Sequence, residues 1–176
     1  IATLWRGTIM FKSPLLFAVA FLSLFLIGGI SGIFLAIFPI DWQVHDTYFV
    51  VAHFHYVMMG SIALAFFAGL HHWWPKMFGV MYSETAAKVA CLLIFVGFNA
   101  TFIPQFIMGS RGMPRRYASY VPDYAAFHKA STIGAMVIGA GVALMLYYVV
   151  MSLLQKKRAM ENQWGGVTLD WECPTP

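Results

Sequence analysis

The residues best suited to chemistry lie between His45 and Tyr56, where the chain reads HDTYFVVAHFHY. Three histidines and an aspartate stand at the mouth of, and just inside, a long uncharged segment. An ionisable side chain at membrane depth is costly and marks a functional site by default. His53 and His55 are two positions apart. On a strand both rings would share a side, and one metal could take both. On a helix the step is about 200°, so the rings face opposite ways and one small metal cannot reach both. Two acceptors, one on each side, could. Imidazole is a common axial ligand of haem iron, so two haems flanking one helix is the chemistry this spacing asks for. The competing reading is a pair of structural histidines hydrogen-bonded to neighbouring helices.

Other polar residues fall into place around that pair. His45-Asp46 offers one nitrogen and one oxygen ligand, enough to share a divalent ion with water and a partner's carboxylate. A helix N-cap by Asp46 or Thr47 is the plainer reading and is compatible with it. His53 lies about 10 Å below the helix end, so a haem held there would turn its propionates toward the loops. Arg115 and Arg116, in Gly112–Tyr117 (GMPRRY), belong to a loop on that same side. Their rigid guanidinium forks suit carboxylates. His71 falls about 27 Å further along the axis and cannot share the His53 site. It and His72 read as interfacial histidines, and His128 carries no reading. Cys91 reads as a small buried hydrophobe, and with Cys173 far away in sequence neither a disulfide framework nor a zinc spacing is expected.

These residues need long apolar elements to hold them. The chain is 60% hydrophobic and only 10% charged, against about a quarter charged in a soluble domain. Its net charge of +4 is scattered at the ends of apolar segments, which excludes a nucleic-acid patch. Uncharged runs at about Ser13–Ile40, Thr47–Pro75, Val89–Ser110 and Ala130–Gln155 each reach the roughly 20 residues that cross a bilayer as a helix. The expectation is an all-α membrane protein of four transmembrane helices, at about 13–40, 47–75, 87–107 and 130–155, in one domain over 1–176. A polar outer loop spans 109–129 and an inner tail 156–176. Alternating sides, Arg6, Lys12, Lys76, Lys88 and Lys156–Arg158 fall on one face and Arg111, Arg115, Arg116 and Lys129 on the other. The first is expected inside, which puts His45–Tyr56 at the outer end. Gly28 and Gly32 form a GxxxG pair read as ordinary bundle packing. Ser131, Ala135, Gly139 and Ala143 are expected to line one face of the last helix. Trp73, Trp74 and Tyr82 are expected in an inner interfacial belt.

With HDTYFVVAHFHYVMMG at His45–Gly60 and GMPRRY at Gly112–Tyr117, the chain resembles subunit I of the haem–copper respiratory oxidases, of cytochrome c oxidase type. LFLIGGISG at Leu24–Gly32 and QWGGVTLDWECP at Gln163–Pro174 are looser supports. The resemblance covers nearly the whole chain and implies the last four helices of a twelve-helix haem–copper oxidase bundle. It implies that His53 is the axial ligand of the high-spin haem where oxygen is reduced, and that His55 is one axial ligand of the low-spin haem. It makes His45 and Asp46 ligands of a magnesium or manganese ion completed by a subunit II carboxylate. Arg115 and Arg116 become propionate-binding arginines, and the haems are expected to be of the a type. The family's copper ligands, its other low-spin haem ligand and its proton channels belong to earlier helices. Such a chain works only with the N-terminal part of subunit I, subunits II and III, and cytochrome c or quinol as donor. The enzyme is then a proton-pumping oxidoreductase of the bacterial cytoplasmic or mitochondrial inner membrane. Phe49, Pro104-Gln105-Phe106-Ile107 and Tyr117–Tyr124 depart from the common pattern. A cytochrome b-like di-haem carrier and a nitric oxide reductase relative are the alternatives.

Overall fold

The apolar run after Lys12 becomes α1 (Ser13–Ala36), with Pro14 in its first turn, where a missing N–H costs nothing. A computed structural model gives this structure, and it describes residues 1–2 and 4–173; Pro174 of the expected tail motif lies outside them. Helix α1 stops at Ile37, whose extended backbone leads into a separate short helix, α2 (Phe38–Val44), begun by Pro39. The first expected span is therefore two elements, because proline cannot donate to a continuing helix.

The histidine stretch enters one long rod. It is built of α3 (Tyr48–His55), a π-helical segment (Tyr56–Ala63) and α4 (Leu64–Phe78). Thr47, not Asp46, caps its start, accepting from the Phe49 N–H at 3.2 Å. Gly79 ends it in the left-handed conformation (φ 66°), which a Cβ would strain. Pro75 lies inside its final turns, so the rod runs past the expected stop. Helix α5 (Glu84–Ser110) is capped by Ser83 and carries Glu84 in its first turn. It passes through Pro104 rather than ending there. A 3₁₀ turn (Pro122–Tyr124) opens α6 (Ala125–Gln155), which starts ahead of the expected position 130. The tail holds α7 (Leu169–Glu172).

Helices α1, α5 and α6 and the rod are long and apolar enough to cross a membrane. Only 22% to 44% of their apolar windows is buried inside the chain. Helices apolar all round need lipid or further protein outside. Helix contact is then driven by close packing, not by escape from water. The α5–α6 seam shows it. Ser131, Gly134, Gly141, Met145, Tyr148 and Ser152 are its buried residues on α6. Ala87, Ala90, Ile94, Gly97 and Thr101 answer on α5. A Cβ at Gly134 would meet the Thr101 backbone N at 2.6 Å. Ala135, Gly139 and Ala143 face outward, so the expected stripe is off register by part of a turn.

The two charged faces of the sequence lie at opposite ends of the bundle. At one end Ser13 donates to Glu84 through its N–H (2.7 Å) and its hydroxyl (2.8 Å), and Tyr82 joins the same hydroxyl at 2.8 Å. The tail closes that end, with Met81 N–H donating to the Lys157 carbonyl at 2.9 Å. Of the expected interfacial belt only Trp73 is exposed; Trp74 and Tyr82 are core residues. At the other end Tyr48 N–H donates to the Met113 carbonyl (3.0 Å) and Arg115 N–H to the Asp46 carbonyl (2.9 Å).

Candidate functional site

His53 and His55 leave the rod on opposite sides, as the helical step requires. His53 turns to α1. Its Nδ1 stands 3.1 Å from the Gly28 carbonyl and 3.0 Å from Ser31 Oγ. Gly32 makes room for the ring, since a Cβ there would sit 2.9 Å from His53 Cε1. The GxxxG pair is thus more than bundle packing: Gly28 supplies a carbonyl and Gly32 a space. His55 turns to α5. Its Nδ1 stands 2.8 Å from the carbonyl of Val51 in its own helix. The ring is stacked on Phe54 (4.4 Å, 30°) and on Phe102 of α5 (4.5 Å, 21°).

The carbonyls select the tautomer that each ring adopts when neutral. A carbonyl only accepts, so each neutral imidazole carries its proton on Nδ1 and leaves Nε2 as a lone pair. A ring oriented through one nitrogen and open at the other is the arrangement of an axial metal ligand. His55 also lines a largely apolar cavity of about 340 Å³ with Met59, Gly60, Phe98, Phe102 and Ile138. Donor chemistry, tautomer and surroundings all fit haem iron. The π-helical segment begins directly after His55, and Gly60 within it lies against Phe98 and Leu24. Inserted turns of this kind concentrate at functional sites.

The other expected residues meet at the loop end. Asp46 has positive φ (55°), which aims its carboxylate back across the loop. Arg115 binds Asp46 Oδ1 through Nε at 2.6 Å and through its terminal nitrogen. Asp46 Oδ2 faces His45 Nε2 at 3.7 Å, and Asp41 Oδ2 faces His45 Nδ1 at 3.7 Å. Arg115 therefore has a partner within the chain, whereas Arg116 is exposed. The guanidinium beside Asp46 holds that carboxyl below its usual value. Among the described residues no group of three His, Cys, Asp or Glu side chains stands ready for a metal ion. His45 and Asp46 are thus two donors that need ligands from elsewhere.

His71 is not interfacial. It is 1% exposed, bonded to the Phe67 carbonyl (2.6 Å) and the Tyr148 hydroxyl (2.5 Å), and stacked on Phe17. His128 gathers Tyr48, Tyr117 and Tyr120 around it. Sequence reasoning missed Ser31, Val51 and Phe102 as supports of the two rings. Only Ser31, inside the GxxxG pair, carried a signal.

Fold and site together define an all-α bundle of membrane-length helices that presents two oppositely directed histidines from one rod. The family model described as cytochrome c and quinol oxidase polypeptide I matches residues 1–137, and the chain belongs to that family. Cytochrome c oxidase subunit 1 of Alkalihalophilus pseudofirmus is 45% identical over 177 residues, covering 99% of this chain and 28% of the relative. The Synechocystis subunit is 44% identical over 174 residues, covering 99% and 32%. A solved heme-copper terminal oxidase dimer aligns with a TM-score of 0.74 and 26% identity, over 82% of this chain and 27% of that one. The chain thus spans about a third or less of the length of these relatives.

Proposed function

We propose that this chain is the haem-bearing C-terminal part of a terminal oxidase subunit I, and that it supplies one axial ligand to each of two haems. His53 serves the high-spin haem and His55 the low-spin haem. The observation that carries the reading is the pair of Nδ1–carbonyl bonds, which leaves both Nε2 atoms free on opposite sides of one rod. When bound, the haems supply electron transfer and, together with copper held by residues outside this chain, the reduction of oxygen to water. The chain's own share is geometry and electrostatics. Rod, α1 and α5 fix the two rings in orientation, and the phenyl rings of Phe54 and Phe102 keep water from His55. Arg116 is free to meet a propionate, and Arg115 shares its charge between Asp46 and that region. His45 and Asp46 hold a magnesium or manganese ion with a carboxylate of subunit II.

The complete enzyme adds the N-terminal part of subunit I, subunits II and III, and cytochrome c or quinol as donor. It couples oxygen reduction to proton pumping in a bacterial cytoplasmic or mitochondrial inner membrane. Optical spectra of the purified complex, with and without carbon monoxide, test this reading. Two haems of the a type with one carbon-monoxide-binding centre are expected. A complex without haem sinks the proposal, and two six-coordinate haems that ignore carbon monoxide select a di-haem electron carrier instead.

A further inference from the structure

The two histidines are locked by different means, and the difference has a chemical consequence. His55 bonds to Val51, a carbonyl of its own helix at 2.8 Å, and no other element takes part in that bond. His53 bonds across to another helix. Its Nδ1 meets two oxygens of α1, the Gly28 carbonyl at 3.1 Å and Ser31 Oγ at 3.0 Å. Ser31 Oγ also lies 2.9 Å from that same carbonyl, to which it donates. Its one proton is thereby spent, so toward His53 the hydroxyl is an acceptor. The Nδ1–H is shared between two oxygens, and the serine is 5% exposed, so no water competes.

We propose that Ser31 is a positioning residue that sets the donor strength of His53 and leaves His55 untouched. This deepens the proposed role of His53 as a haem ligand and rests on it. An acceptor on Nδ1–H draws the proton outward and gives the ring imidazolate character. Nε2 becomes a stronger donor, which favours the oxidised iron and strengthens the iron–nitrogen bond. Gly28 cannot be varied through a side chain without collision, because a Cβ there would meet Val57 at 3.0 Å. Ser31 is therefore the position through which the pull on His53 can be altered.

The test compares Ser31→Ala, Ser31→Cys and Ser31→Thr in the intact complex. The readouts are the iron–histidine stretch of the reduced high-spin haem and the reduction potentials of both haems. Ala is expected to move the stretch to lower frequency and the high-spin potential upward, with the low-spin band and potential unmoved. Thr restores the wild-type values. Cys, of near-equal size but a weaker acceptor, falls between, and it serves where the Ala protein fails to assemble. A stretch and potential that stay at wild-type values in both Ala and Cys overturn the role of Ser31. A shift of both haems alike also overturns it, since that is what general loosening of the bundle produces. If the wild-type complex shows no iron–histidine stretch, or one that survives replacement of His53, the haem-ligand reading itself fails, which is a different result.

Discussion

At the residue scale, the ion pair between Asp46 and Arg115 latches the two sequence motifs together. Asp46 is exposed, and its hydrogen bond to the Arg115 guanidinium holds the carboxyl below its ordinary value of 3.8. A carboxyl with a depressed folded pKa contributes stability that is present above the ordinary value. That contribution is lost as the pH falls through the folded one. The loop at 111–121 should thus resist pepsin on acidification to about the ordinary carboxyl range and open only below it. In Arg115→Gln the loop should open at higher pH. Equal cleavage of both proteins at every pH would contradict the latch. The opposed directions of His53 and His55 were legible in sequence, because helical rotation depends on spacing alone. Their partners were not: which carbonyl meets Nδ1 depends on which helix packs there. His71 was misread for the same reason, since its burial is set by Phe17 and Tyr148, far away in sequence.

At the scale of elements, the four spans were readable from length and apolarity, while their ends were not. Pro75 and Pro104 look like terminators, yet both lie within helices, which lipid-embedded segments tolerate when neighbours satisfy the freed carbonyls. The small-residue stripe on α6 failed for a geometric reason. Four residues turn a helix by about 400°, so a strict four-residue stripe drifts about 40° at each step. The packed face instead alternates steps of three and four, as two helices in sustained contact require. Close approach is tightest where α5 passes the start of the rod. A Cβ on Gly109 would lie 1.9 Å from the Phe49 backbone N. Gly109→Ala should therefore destabilise by at least the ~1–3 kcal/mol of ordinary overpacking, because a backbone atom cannot step aside. Gly139→Ala, with nothing within 4 Å, should be neutral or slightly stabilising. Thermal loss of the haem spectrum in the intact complex separates the two, and equal midpoints would contradict the crossing geometry.

At the scale of the whole molecule, the ends are pinned differently. The end with the tail rests on the buried side chains Ser13, Tyr82, His71 and Tyr148, joined by the partly buried Glu84. Tyr148 ties α6 to the rod, and Tyr148→Phe leaves His71 Nε2 buried without a partner. Such a loss costs about 1–3 kcal/mol, which a lowered thermal midpoint would register. An unchanged midpoint would mean that water replaces the hydroxyl. The opposite end, with its loops, pins the histidines by Nδ1 bonds to the Gly28 and Val51 carbonyls and to Ser31, and by packing against Gly32 and Phe102. Between them the outer faces of all four spans remain apolar and uncovered by the chain itself. A bundle of this kind gives its histidines rigid backing on one side and open acceptor nitrogens on the other.

One rod serving two separate haems should reveal itself when each histidine is changed alone. In His55→Met the low-spin band should shift while carbon monoxide still binds. In His53→Leu carbon monoxide binding should vanish while the low-spin band remains. Both haems intact in both variants, or the same band disturbed by each, would rule out two haems divided between His53 and His55.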